Sequence, residues 1–390
     1  MSLLLSGILF AFGKIIPGIS SSVLLNMIGK YEFYLELFSN PVSFINGNFK
    51  ECIVIVFGVV LGILLSIKIC SYMLKNYYSK MYNIELWYSS LQHSIAVALV
   101  IWHFTHDKKQ TLSGLFHDIS TPAFKHCIDF MNNDHETQES TEDLTRTMIL
   151  ESKEIMNLLN RDNISIDEVA DYHIYPIADN DTPMLSADRL EYTLSNGLGQ
   201  VKKIWGLDEI KKIYSNIIIV EKEDGTPEMC FKDKEVAERF VEVMSELSIL
   251  YMDDKRRFGM QLLADIMKRM SNLGIISVPD LYELSEDEVI NKIRNCKNYN
   301  IAECFDIWKN GLDVKTSDKE IPGKYCINIK AKKRYINPLV RTENGIERIS
   351  DISDKARNCI EKCLEYTFDR YVYMDFDFND NEKVLRKNIK

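Results

Sequence analysis

Four side chains in this sequence have the types and the order of a divalent-metal site: His93, His117, Asp118 and Asp188. Neutral imidazoles and carboxylates together suit Mn, Fe, Mg, Zn or a similar ion. An ion held this way keeps positions open for water and a phosphate oxygen, and it neutralises charge building on a phosphoryl group. The chemistry expected is metal-dependent phosphoester hydrolysis, with Asp118 counted among the catalytic residues as well as the ligands. His117 and Asp118 are adjacent, and consecutive helical side chains diverge by about 100°. They share an ion only at a helix edge, so the other donors must come from elsewhere in the chain. Taken singly, a His-Asp pair ordinarily ends a helix, and a histidine heading an apolar helix ordinarily hydrogen-bonds at its boundary. The conjunction carries the reading.

The elements that must position these groups show in the periodicity. Ile95, Val97, Ala98, Leu99, Ile101 and Trp102 fit a largely buried helix with His93 at its start. Leu112 to Ile119 predicts a second apolar helix ending in His117-Asp118. Ser186 suits the N-cap of a helix through Leu190 and Leu194, which puts Asp188 in its first turn. Ser165 and Glu168 form a capping box that predicts a further helix. His103 and His106, just before Lys108-Lys109, suit a helix C-terminus rather than a second metal site.

Composition bounds the partners. At 390 residues the chain exceeds one domain of usual size. The net charge is −10, and residues 1–86 carry six lysines against four glutamates, so the acid excess lies in the remainder. An acidic body argues against coating duplex nucleic acid. It leaves room for small anionic substrates held through a metal. Nine cysteines without CxxC spacing read as reduced, buried thiols of a cytosolic body.

The head of the chain reads differently. Cys52 to Ile67 carries no charge and the apolar run continues to Leu74, close to the ~20 residues that cross a bilayer. Lys68, Lys75 and Lys80 follow, which by the positive-inside tendency puts that end in the cytoplasm. Residues 1–75 are therefore expected to contact the membrane. The earlier run, Leu3 to Gly29, is broken by Pro17-Gly18-Ile19-Ser20. Such a break reads either as a kink or as a half-helix end whose N–H groups cradle an anion, with Pro17, Gly18 and Ser20 as lipid-phosphate candidates.

Two family resemblances extend these readings. Pro17-Gly18-Ile19-Ser20, with the later Gly29-Lys30-Tyr31-Glu32, resembles one inverted repeat of the polyprenyl-phosphate translocases over residues 5–80. Ser21 stands where that family usually has glycine, and the other repeat is absent. From about residue 87, His93-Ser94-Ile95, Gly114-Leu115-Phe116-His117-Asp118, Pro122-Ala123-Phe124-Lys125-His126 and Ala187-Asp188-Arg189-Leu190-Glu191-Tyr192 resemble the HD superfamily. They look most like its deoxynucleoside triphosphate triphosphohydrolase branch. That resemblance implies His93, His117, Asp118 and Asp188 as ligands, His135 as general acid and Glu136 as the group that orients it. It also offers His126, Arg189 and Tyr192 as substrate contacts, His126 with packing as the alternative. Ser120-Thr121 replaces the Gly-His of nucleotide-cleaving members, and Ser90 replaces a common arginine. The implication carries further for phosphoester hydrolysis than for triphosphate cleavage.

The expected fold is mainly α: a membrane-helical segment over residues 1–82, an all-α HD bundle over 87–200, and an accessory region over 201–390. In the last, Ile217–Val220, Asp224-Gly225 and Met229–Phe231 read as strand, turn and strand. Helices are expected over Lys234–Tyr251 and Asp254–Leu273, and an edge strand over Tyr325–Tyr335, so that two short β-hairpins accompany the helices. Lys330, Lys332, Lys333 and Arg334 end that strand as a phosphate site or a solvated edge. The expected ligand is a small phosphoester, most simply a nucleotide, and a homo-oligomer is compatible with the chain. Both resemblances are cut short near Tyr82–Leu91, which suggests a fused or rearranged reading frame. The body is expected in the cytoplasm, anchored at the cytoplasmic membrane unless the head is a fusion artefact.

Overall fold

The structure, a computed structural model, describes residues 3–15, 21, 25–26, 28–39, 41–63, 88–138, 144–199, 204–296 and 298–376. The chain divides into two compact units, Met1–Ser79 and Lys80–Lys390.

In the first unit, α1 (Leu3–Ile15), α2 (Tyr31–Ser39) and α3 (Pro41–Gly47) precede a further helical stretch over residues 49–63. α1 and that stretch meet through small residues. A Cβ on Gly58 would come within 2.4 Å of Leu4 O, and one on Gly7 within 2.4 Å of Ile55 O. The two backbones therefore touch where a side chain would hold them apart. Leu25, Tyr34 and Ile55 form the buried cluster of this unit, whereas Ile53, Val56, Phe57 and Val60 are exposed.

The expected membrane-helical segment is corrected here. Among the described residues no helix is long and apolar enough to cross a membrane. α1 has 13 residues, about 20 Å at the helical rise, against a hydrocarbon core of ~30 Å. The run expected from Cys52 to Leu74 is described as helix up to residue 63, and its remainder lies outside the described residues.

The second unit opens with α4 (Ser90–Thr105), started by a capping box between Ser89 and Gln92. His106 closes α4 in the left-handed region, φ 51°, its N–H donating to Trp102 O at 3.0 Å. Asp107 then caps α5 (Lys108–Phe116), accepting from the N–H groups of Lys109 and Gln110. The two caps make a tight antiparallel hairpin of α4 and α5. The helix expected over Leu112–Ile119 thus starts four residues earlier and ends before His117. Short helices α6 (Cys127–Met131), α7 (Thr145–Glu151) and α8 (Lys153–Arg161) follow. The Ser165–Glu168 capping box forms but opens only a 3-10 turn, Ile166–Glu168. α9 (Ala187–Gly199) is entered through Ser186, whose Oγ accepts from Arg189 N–H at 3.2 Å.

After α10 (Leu207–Ser215), β1 (Ile217–Glu221) and β2 (Pro227–Phe231) pair antiparallel in the register Ile217 to Phe231, with Gly225 at φ 79° in the turn. α11 (Lys234–Met252) and α12 (Asp254–Asn272) fall within one residue of their expected ends. Three helices follow: α13 (Asp280–Glu283), α14 (Glu286–Arg294) and α15 (Tyr299–Asn310). The strands β3 (Lys315–Ser317), β4 (Tyr325–Ile327) and β7 (Tyr371–Met374) form an antiparallel sheet in the order β3-β7-β4. The edge strand expected to run to Tyr335 stops at Ile327. β5 (Leu339–Thr342) adds parallel to β2, and β6 (Gly345–Arg348) completes a four-stranded sheet, β1-β2-β5-β6. α16 (Ile349–Ile352) and α17 (Asp354–Leu364) cover α11.

One hydrophobic core runs through this unit. Val97 and Ile101 of α4, Leu190 and Leu194 of α9, Phe240, Met244 and Leu247 of α11, and Ile360 of α17 belong to a single cluster. The regions 87–200 and 201–390 bury their apolar faces against each other.

Candidate metal centre

Three segments converge at one end of the α4–α5 hairpin. His93 sits in the first turn of α4, His117 and Asp118 follow α5, and Asp188 lies in the first turn of α9. The close approach of α4 and α5 depends on Gly114: a Cβ there would lie 2.2 Å from Ile101 Cδ1 and 3.4 Å from Val97 Cγ1. With no side chain at that point, the two imidazoles come within reach of each other.

Their geometry is specific. His93 Nε2 and His117 Nε2 face each other at 3.3 Å. Asp188 Oδ1 lies 3.0 Å from the first and 3.7 Å from the second. Asp118 Oδ1 is 3.8 Å from His117 Nε2. The Nδ1 atoms are committed elsewhere, that of His93 to Glu191 Oε2 at 2.5 Å and that of His117 to Gly114 O at 2.7 Å. Both rings are buried. Fixing the Nδ1 atoms fixes the ring orientation, as it does for imidazoles that ligate metals.

The electrostatics follow from burial and pairing. Burial alone would lower the His93 pKa, but hydrogen bonds and charge from Asp188 and Glu191 outweigh it and lift the group to about 10. Burial likewise pushes Asp118 up; Lys125, then His117 and His93, hold its carboxyl well below the usual range. Burial pushes Asp188 up too, and His93 and His117 hold it well below that range. Two imidazoles and two carboxylates thus confront one point, with ligand atoms of His93, His117 and Asp118 all within 4.8 Å of one another. That donor set fits a borderline divalent ion.

Beside this cluster lies a small cavity of about 30 Å³, lined by His117, Asp118, Ser120, Thr121, Lys125, His126 and Gln138. Lys125 Nζ donates to Asp118 Oδ2 at 2.8 Å. His126 lines the cavity and lies 3.0 Å from the buried Asp129 carboxylate. His135 and Glu136 are not among the lining residues. His135 is 5.6 Å from the Phe130 ring, and Glu136 is exposed with Lys330 Nζ at 3.7 Å. Arg189 is turned to the segment before α9, donating to Asn180 Oδ1 at 2.6 Å and lying 3.3 Å from Asp179. Tyr192 lies under the Arg334 guanidinium, 6.0 Å from ring centroid to Cζ. Pro17, Gly18 and Ser20 lie outside the described residues.

Sequence reasoning passed over Glu191 and Lys125. Glu191 is one turn beyond Asp188 on the same face of α9, a spacing that could have flagged it. Lys125 is seven residues past Asp118 across an irregular turn, where no helical spacing applies.

Comparison with known proteins adds three findings. A family model described as undecaprenyl phosphate translocase-like matches residues 1–111. This bears out the translocase-like resemblance read over residues 5–80 and carries it through α4, His93 included. The chain is 27% identical over 279 residues to the uncharacterized protein YdhJ of Bacillus subtilis (strain 168), covering 70% of this chain and 81% of that protein. It also shares a fold with the crystal structure of a hypothetical protein from Aquifex aeolicus. The TM-score is 0.52 at 15% identity, over 77% of this chain and 86% of that one.

Proposed function

We propose that residues 80–390 form a divalent-metal-dependent phosphohydrolase of the HD type, acting on phosphoester bonds of small molecules, most simply nucleotides. The observation that carries this reading is the convergence of His93, His117, Asp118 and Asp188 from three separate segments onto one point. Those four side chains would hold the ion. When bound, it supplies Lewis-acid stabilisation of phosphoryl charge and a lowered pKa for water. Glu191 holds the His93 ring in its ligating orientation, and Gly114 O does the same for His117. Lys125 places a cation at the cavity wall, where it balances Asp118 and faces an incoming anion. His135 and Glu136, the proton donor and its orienting group on the HD resemblance, stand outside this cavity, so those roles require a rearrangement on substrate binding.

The test is a screen of the purified protein against nucleoside mono-, di- and triphosphates with Mn²⁺, Mg²⁺, Fe²⁺ and Zn²⁺. Metal-dependent hydrolysis is expected, and His117→Ala and Asp118→Ala should each abolish it. Full activity in both variants would sink the assignment.

A second reading belongs to the head of the chain and is favoured by the translocase-like match over residues 1–111. On this reading the first unit recognises a polyprenyl phosphate and the second unit is its passenger or regulator. Polyprenyl phosphate binding that is lost in Pro17→Ala and Ser20→Ala is the expected result. Unchanged binding in both would dismiss it.

A further inference from the structure

The basic run Lys330, Lys332, Lys333 and Arg334 lies beyond the end of β4 rather than on a strand, its lysines meeting their partners at the surface. It lies alongside residues 136–138 in three successive contacts. Lys330 Nζ is 3.7 Å from Glu136, Lys332 Nζ donates to Thr137 O at 2.5 Å, and Arg334 donates to Gln138 Oε1 at 2.5 Å. The last contact reaches the candidate metal centre, because Gln138 lines the same cavity as His117, Asp118, Lys125 and His126.

The run is also anchored from behind. Arg257, buried in α12, donates to Ile329 O at 2.7 Å and to Arg370 O at 2.9 Å, and its ion pair with Asp254 holds the guanidinium. Arg334 is therefore placed by fixed backbone rather than by a loose tail. Its guanidinium lies over Tyr192, one turn beyond Asp188 on α9. Its side-chain partners, the Gln138 amide and the Tyr192 phenol, are both neutral, so neither supplies a counter-charge. A planar guanidinium matches two phosphate oxygens at once, which an amide partner does not exploit.

We propose that Arg334 is a binding residue for a phosphate group of the substrate, delivered to the cavity by residues 330–334 of the accessory region; this rests on the hydrolase reading above. Lys125 and Arg334 then flank the anion, Lys125 from the turn after α5 and Arg334 from the segment before β5.

The experiment compares wild type, Arg334→Gln and Arg334→Lys by calorimetric titration with inorganic phosphate, with and without Mn²⁺. Thermal melting and Mn²⁺ affinity serve as controls for folding and for the metal centre. The expected result is phosphate binding weakened about tenfold or more in Arg334→Gln, partly restored in Arg334→Lys, with both controls unchanged. A parallel assay with p-nitrophenyl phosphate should show a raised KM in Arg334→Gln. Phosphate affinity within about twofold of wild type in Arg334→Gln would overturn the proposal, as would a wild type that binds no phosphate. Loss of the hydrolase reading shows separately, as a wild type that hydrolyses no ester while the phosphate titration is still readable.

Discussion

At the scale of single residues, the site is a contest between burial and pairing, and pairing wins. His93 is buried, yet hydrogen bonds and charge from Asp188 and Glu191, which bracket its ring, raise its pKa above the usual histidine range. Glu191 touches no proposed reacting atom. Its contribution is to hold Nδ1 so that Nε2 faces Asp188 and His117. Glu191→Gln should therefore lower Mn²⁺ affinity about 10- to 100-fold, together with a lower melting temperature because a buried pairing with His93 is lost. An equilibrium titration with a fluorescent metal competitor measures the first, calorimetry the second. Equal affinity in both proteins would show that the ring is oriented by something else. The four candidate ligands were legible in the sequence because their types and order are unusual together. Glu191 left only its one-turn spacing from Asp188 as a signal, and its role shows once α9 is laid against a histidine 98 residues earlier.

At the scale of elements, the candidate metal centre depends on how closely two helices approach. Gly114 has no side chain to meet Ile101 and Val97, which are themselves fully buried. Gly114→Val should overpack the crossing at a cost of about 1–3 kcal/mol and move the imidazoles apart. Urea unfolding gives the first quantity, and Mn²⁺ titration should show weaker binding beyond what the loss of folded protein explains. Stability and affinity equal to wild type would mean that α5 is free to slide. Capping residues mark helix starts legibly: Ser186 opens α9 as expected. The Ser165–Glu168 box was also read correctly, but it started a turn of three residues. A capping box satisfies the first N–H groups and supplies no apolar face to sustain further turns. The edge strand expected to Tyr335 ends at Ile327, and the side chains of Lys332 and Arg334 beyond it reach Thr137 and Gln138.

At the scale of the whole molecule, distant segments are joined by pairings that no local pattern announces. β5 lies parallel to β2 across a long excursion of chain, and Arg348 at the end of β6 reaches back to Glu228 in β2. Glu228 is 1% exposed, so its charge depends on that guanidinium. Arg348→Ala leaves it buried and alone, and about 3–5 kcal/mol of unfolding free energy should be lost. Chemical denaturation of the full chain measures this, and a loss under about 1 kcal/mol would show that water reaches the carboxylate. The boundary between the two compact units, at Ser79 and Lys80, falls close to the join read near Tyr82–Leu91. Sequencing single molecules across the codons for residues 75–95 tests whether that join is genomic. Uninterrupted reads in many cells would dismiss the rearrangement. The sequence reading departs most from the structure in the head, where among the described residues no helix is long and apolar enough to cross a membrane.

The shared core of the second unit has an engineering consequence. His93 and Asp188 stand on helices whose inner sides rest on Phe240, Met244 and Leu247. The chemistry cannot be transplanted by grafting residues 87–200 onto another protein, because the graft would arrive with its supporting wall missing.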